Sequence, residues 1–297
     1  MADNIPKIND LQHIAIVGPG LLGGSIALGL KSAGLTARIT GIGHRQTSID
    51  TALRIGAIDA GSLDLAATAD AQLILIATPI GLFQPTLQRL ANIIGPSAVV
   101  TDVGSTKRRV CQLAAKYLPN KNLFVGSHPM AGSEKRGVEF ARADLCHNAT
   151  CILTPTRSTS RDALALVESV WSALGMRLVH LTPDRHDRIL AKISHLPHVL
   201  ASALVNLCTD SELEVSGPGF LDTTRVASGD VNLWHDIIDS NADHLLAATA
   251  ALRKQLDRLD AAVRSGRSAQ IRQFLDAAKQ KRDRLVQFKL QTHRFEP

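Results

Sequence analysis

Three short runs in this chain combine residue types and spacings that can do chemistry. Gly18-Pro19-Gly20-Leu21-Leu22-Gly23 has the form G-x-G-x-x-G, follows the apolar run His13 to Val17 and opens an amphipathic stretch. It reads as a strand-to-helix turn whose glycines let the backbone approach a pyrophosphate, with the first helical N–H groups facing the phosphates. Ser127-His128-Pro129-Met130-Ala131-Gly132-Ser133-Glu134-Lys135 follows the apolar run Leu123 to Val125. That places it at the carboxyl end of a strand, where open α/β sheets bind their ligands. His128 is a candidate acid/base there, because imidazole changes charge near neutrality, although a His before a Pro also suits a plain turn. Val103-Gly104-Ser105-Thr106-Lys107 is another strand-to-helix turn, whose hydroxyls either cap the helix or face a cofactor.

The cofactor itself leaves a trace in the sequence. NAD sites usually carry Asp or Glu about 20 residues beyond the glycines, at the end of the second strand, to hold the ribose hydroxyls. Here that position is Gly43, followed by His44, Arg45 and Thr47, with no carboxylate. A small residue flanked by basic and hydroxyl groups suits a 2′-phosphate, so NADP is expected in preference to NAD.

Two further clusters lie beyond Pro183. Ser194-His195-Leu196-Pro197-His198 puts His195 and His198 three apart, on one helical face. Such a pair can bind a metal, hydrogen-bond a substrate or simply pack; no cysteine or carboxylate cluster supplies further ligands, so no metal is expected. Leu221-Asp222-Thr223-Thr224-Arg225 follows Gly217-Pro218-Gly219 in a loop-like region. The Arg225 guanidinium there can grip a carboxylate through two parallel N–H bonds or form a surface ion pair.

These residues need elements to position them. Apolar runs at His13–Val17, Arg38–Ile42, Leu73–Ala77, Val99–Val103, Leu123–Val125, Cys151–Leu153 and Leu178–His180 alternate with amphipathic stretches. Continuous apolar strands separated by helices predict a doubly wound parallel sheet covered on both faces, a Rossmann-type α/β domain over residues 12–182. After Pro183 the strand-like runs disappear. Arg185 to Cys208 is one long helical pattern, and Leu252, Leu256, Leu259, Val263, Ile271, Phe274, Leu275 and Ala278 recur at spacings of three and four. An all-α C-terminal domain over 183–297 is therefore expected, and its continuous apolar stripe suits pairing with a second copy.

Composition bounds the partners. The 297 residues are 45% apolar and 20% charged, which is ordinary for a globular protein. Aromatics make up 3%, too few for stacking platforms on single-stranded nucleic acid. The net charge of +6 is concentrated in the tail: 12 basic and 4 acidic residues lie between Arg253 and Arg294, leaving the remainder two charges negative. Because that tail also carries an apolar stripe, it reads as a solvated helix face, and neither a nucleic-acid partner nor a membrane is expected. Cys111, Cys146, Cys151 and Cys208 have no C-x-x-C spacing, and no apolar run is long enough for a membrane span. A reduced, cytoplasmic setting is expected.

The set of motifs resembles the TyrA family, the prephenate and arogenate dehydrogenases of tyrosine biosynthesis. The resemblance rests on the N-terminal fingerprint, Thr78-Pro79 after a strand, Asp102 to Lys107, Ser127 to Lys135, Ser194 to His198, and Thr224-Arg225 with Trp234 nine residues on. It implies a Rossmann domain plus a helical substrate-binding and dimerisation domain, and a homodimer. The substrate it implies is a 4-hydroxycyclohexadiene with a ring carboxylate, oxidised and decarboxylated with hydride transfer to NAD(P)+. His128 then takes the hydroxyl proton, Ser105 orients His128, Arg225 grips a carboxylate, and Ser194, His195 and His198 line the substrate pocket. Glu134 and Asp222 match acidic positions near its mouth. Gly18, Gly20, Leu21, Leu22, Gly23, Gly43, His44, Arg45, Thr47, Thr78 and Pro79 fall at the cofactor. Two other readings compete: a β-hydroxyacid dehydrogenase using Lys192 as the acid/base, and a cofactor-sensing module that binds through its basic tail.

Overall fold

A computed structural model describes residues 5–132 and 135–291. Eight strands form one sheet: β1 (His13–Val17), β2 (Arg38–Ile42), β3 (Ala60–Ser62), β4 (Leu73–Ile76), β5 (Val99–Asp102), β6 (Phe124–Pro129), β7 (Thr150–Thr154) and β8 (Arg177–His180). Their order is β3-β2-β1-β4-β5-β6-β7-β8, reversing direction at the β1/β4 junction, where a doubly wound sheet opens its ligand crevice. The helices α1 (Leu21–Ser32), α2 (Gln46–Arg54), α3 (Phe83–Leu90), α4 (Arg108–Tyr117) and α5 (Arg161–Ala173) cover it.

The apolar strand runs follow from this burial. Ile14, Ile16, Leu73 and Leu75 pack on one face with α1, α2 and α5, while Ala15, Val17, Ile74 and Ile76 pack on the other with α3 and α4. Side chains alternate across a strand, so a sheet covered on both faces requires apolar residues at every position.

One expectation is corrected. The sheet is not wholly parallel: β7 pairs antiparallel with β6, placing His128 opposite Ile152. A parallel return needs a crossover element, and the described residues between β6 and β7 contain only the 3-10 turn Val138–Phe140. With α5 as crossover, β8 then runs parallel to β7. The short β3, which has no apolar run, also escaped the sequence reading.

Beyond the sheet lie α6 (Pro183–Leu190), a π-helical turn (Ala191–His195), α7 (Leu196–Leu207), α8 (Asp210–Glu214), α9 (Pro218–Thr224) and α10 (Val231–Ser240). The long helical pattern from Arg185 is real but interrupted: Pro197 cannot donate to the ladder, and the turn before it widens to π geometry. By packing, residues 1–241 form one compact unit and residues 242–297 a second. The second consists of α11 (Ala242–Arg264) and α12 (Ser268–Gln291). Among the described residues no helix is long and apolar enough to cross a membrane.

Candidate active site

The glycine-rich turn has the geometry a dinucleotide needs. Gly18 has φ +95°, and a Cβ there would stand 2.7 Å from the Ala77 carbonyl oxygen. A Cβ on Gly23 would stand 2.4 Å from the Gly18 carbonyl oxygen. Both glycines are therefore fixed by close backbone packing between β1, α1 and the end of β4. Gly20 differs: a Cβ there meets nothing within 4 Å, so its absence keeps open the space above the turn. Gly20 caps α1 without a side-chain bond, leaving the first helical N–H groups to an anion. Thr78 Oγ1, beside that space, is buried without a hydrogen-bond partner among the described residues. An open cradle, bare helical N–H groups and an orphaned hydroxyl together fit a bound dinucleotide.

Gly43, His44, Arg45 and Thr47 lie where β2 runs into α2, and the last three are exposed. A Cβ on Gly43 would stand 3.0 Å from Ile49 Cδ1, so the core beneath has little room for a side chain.

His128, near the end of β6, is only 9% exposed and faces a cavity of about 660 Å³. Leu21 and Leu22, Thr78 and Pro79, Gly104 and Ser105, and Arg225 line the same cavity. The structure thus brings the cofactor turn, the candidate base and the candidate carboxylate clamp to one space. Nδ1 of His128 lies 2.8 Å from Nε2 of His186, whose own Nδ1 lies 2.7 Å from Oδ1 of Asp187. The same carboxylate accepts the backbone N–H groups of Lys107 at 2.7 Å and Arg108 at 2.8 Å, which start α4. The resemblance implied Ser105 as the group orienting His128; in the structure His186 holds Nδ1, and Ser105 sits in the adjoining turn.

Electrostatics follow from the burial. Desolvation holds the His128 imidazole well below its usual pKa, and its interactions with His186, Lys107 and His195 act the same way. Burial lowers His186 too, against the pull of Asp187. Burial alone would raise Asp187, but the bonds from His186, Lys107 and Arg108 keep it below the usual carboxylate range. Underneath, Asp102 and Lys107 form an ion pair with both side chains fully buried. Burial pushes the Asp102 carboxyl up, and it is opposed by Lys107 and the N–H groups of Ser127 and Gly104. Ser127 is tied in turn to Trp171 Nε1 at 3.0 Å and to Thr101 at 2.7 Å, which fixes the strand carrying His128.

The helical residues divide. Arg225 opens a 3-10 turn directly after α9, more ordered than the loop expected, and lines the cavity. Trp234 lines it too, while His198 stacks on that indole at 3.6 Å between ring centroids and His195 meets it edge-on at 6.3 Å. Ser194, His195 and His198 are not themselves among the lining side chains. His195 Nδ1 accepts from Asn241 Nδ2 at 3.1 Å, and burial lowers its pKa to about 4. Asp222 is exposed, and Glu134 lies outside the described residues. Lys192 is exposed and does not face the cavity, which removes the β-hydroxyacid dehydrogenase reading.

Four site residues escaped the sequence reading. Arg136 and Asp230 form an ion pair at the cavity, and their only signal was charge beside a motif. His186 and Asp187 were masked by the charged run Asp184 to Arg188, which has the look of a solvated first turn. Their one trace was spacing: His186 lies four before the buried Leu190, on the inward stripe.

A site that holds a dinucleotide and moves one proton belongs to an NAD(P)-dependent dehydrogenase. The family model of the prephenate dehydrogenase nucleotide-binding domain matches residues 26–180, and that of the prephenate dehydrogenase dimerization domain matches residues 182–277. This chain belongs to the prephenate dehydrogenase family. It is 35% identical over 281 residues to the prephenate dehydrogenase of Bacillus subtilis (strain 168), covering 92% of this chain and 76% of that one. Prephenate dehydrogenase from A. aeolicus, solved with hydroxyphenyl propionate and NAD+, matches with a TM-score of 0.89 and 32% identity, over 93% of this chain and 99% of that one. Synechocystis arogenate dehydrogenase matches with a TM-score of 0.81 and 32% identity, over 92% and 100%.

Proposed function

We propose that this enzyme oxidatively decarboxylates prephenate, arogenate or both, with His128 as the base. The observation that carries the reading is one buried, neutral imidazole facing the cavity that the glycine-rich turn and Arg225 also enclose. A bound nicotinamide supplies the hydride acceptor. His128 takes the proton of the ring hydroxyl while the carbon bearing it gives up hydride. The bond to the ring carboxylate then breaks, CO2 leaves, and its electron pair completes an aromatic ring. The proton held by His128 returns to the ring oxygen, giving a phenol, so no net proton is required. Arg225 supplies a fork for a substrate carboxylate, Ser105 borders the reacting centre, and the rest of catalysis is positioning. His195 and His198 act from behind, by holding the Trp234 wall in place.

NADP is the preferred cofactor on this reading, because β2 ends at Gly43 without a carboxylate and the exposed His44, Arg45 and Thr47 suit a 2′-phosphate. The division of labour falls at 182/183, with the cofactor on the sheet side and substrate contacts and pairing on the helical side.

One experiment tests the core of this. NAD(P)H formation is followed with prephenate and with arogenate, each with NAD+ and NADP+, for the natural enzyme and for His128→Asn. The expected outcome is turnover of at least one substrate, a higher kcat/KM with NADP+, and a fall in kcat of about 10²-fold or more in the variant with substrate binding retained. Near-normal turnover by His128→Asn removes the base, and a strong preference for NAD+ removes the cofactor assignment.

A further inference from the structure

The chain of contacts behind His128 has a direction. Asp187 is ionised and can only accept, so the proton between it and His186 resides on His186 Nδ1. His186 Nε2 is then an acceptor, and the proton between the two rings resides on His128 Nδ1. His128 Nε2 is left with a bare lone pair, the form a base needs, as the nitrogen available to the cavity. All three groups are buried, Asp187 and His186 completely, so water does not compete for these bonds.

We propose that His186 and Asp187 are positioning residues that hold His128 in its Nδ1–H tautomer and accept part of its charge during turnover. The inference rests on His128 being the base. As the substrate O–H bond breaks, its proton joins His128 Nε2, and the His128 Nδ1 proton moves toward His186 Nε2. The new positive charge then spreads over two rings beside a carboxylate, in place of resting on one desolvated imidazole. When the ring oxygen recovers its proton, both shifts reverse.

Asp187 adds a second link. Its Oδ1 and Oδ2 receive the first N–H groups of α4, whose preceding turn carries Gly104 and Ser105. One carboxylate therefore fixes both the base and the turn beside it, and Asn241 Nδ2 holds the Asp187 carbonyl at 2.9 Å. His186, Lys107 from the start of α4 and His195 from the π turn all act against protonation of His128. Asp187, from α6, acts in the opposite sense on His186 and His195.

The test uses the full enzyme in four forms: His128→Asn, His186→Gln, Asp187→Asn and the Asp187→Asn/His128→Asn double variant. Reversing the fixed tautomer costs about 10⁴ in kcat in the Ser-His-Asp hydrolases. Asp187→Asn and His186→Gln should each lower kcat at least tenfold, with KM for substrate changed less than threefold. In the His128→Asn background, Asp187→Asn should cost less than twofold more, because residues acting as a unit are not additive. In ¹⁵N spectra of histidine-labelled enzyme, His128 should be the Nδ1–H tautomer, and Asp187→Asn should change it. His186→Gln leaves the α4 cap in place, so it separates loss of the relay from loss of folding. Full kcat in His186→Gln, a full further loss in the double variant, or an Nε2–H tautomer in the natural enzyme overturns the proposal. If His128→Asn alone retains kcat, the base assignment fails and the relay with it; if only that variant is impaired, the relay alone is wrong.

Discussion

At the scale of single residues, the proposed chemistry depends on an imidazole that stays neutral. Burial, then His186, Lys107 and His195, all keep His128 below the ordinary histidine value of 6.5. The free enzyme therefore already holds the proposed base in the working form at neutral pH. We expect kcat/KM for the substrate to stay level through the neutral range and to show its acid limb below 6.5. A pH profile with that limb at or above 6.5 contradicts the environment described. His128 was legible in the sequence because it lies in a distinctive run at the end of an apolar strand. His186 and Asp187 were not, because a buried polar pair and a solvated one are spelled alike.

At the scale of elements, the glycine-rich turn separates two reasons for having glycine. Gly18 is demanded by its own backbone, with φ +95° and the Ala77 carbonyl against its Cα. Gly20 is demanded by nothing in the protein, since a Cβ there meets open space. Gly18→Ala should cost roughly 1–3 kcal/mol of stability through backbone strain, with more from the clash. Gly20→Ala should leave the melting temperature unchanged and raise KM for NAD(P)+. Denaturation curves and cofactor titrations on the two variants check this; a Gly20→Ala enzyme with an unaltered cofactor KM removes the cradle. The motif was plain in the sequence, but the different duties of its glycines were not, because they depend on which backbone passes nearby.

At the scale of the whole molecule, two properties emerge from many residues together. His13, His128, His186, His195 and His198 all have pKa values lowered in the folded state, each with burial as the first cause. Each is neutral in both states above 6.5, so stability is level there. As pH falls below 6.5 the unfolded chain takes up protons that the folded chain refuses. Stability should therefore fall between pH 7 and 5, with a slope of up to about 1.4 kcal/mol per pH unit for each imidazole held neutral, and the melting temperature should fall with it. A melting temperature constant over that range contradicts the buried cluster. In α11 and α12, Leu256, Val263, Leu275 and Leu285 remain 49–58% exposed, the composition of a face awaiting a partner. A homodimer should appear in light scattering at twice 31.8 kDa, and a monomeric mass at micromolar concentration contradicts it. The sequence by itself determined the strand-and-helix alternation, the phosphate turn and the stripe of α11 and α12, because each is a periodicity or a local backbone demand written in neighbouring residues. Only the tertiary structure decided that β7 turns back against β6, that His195 and His198 pack on Trp234, and that an Asp–His pair from α6 stands behind His128. Those contacts join residues as many as 58 positions apart, and burial, which sets their strength, is a property of the folded chain alone.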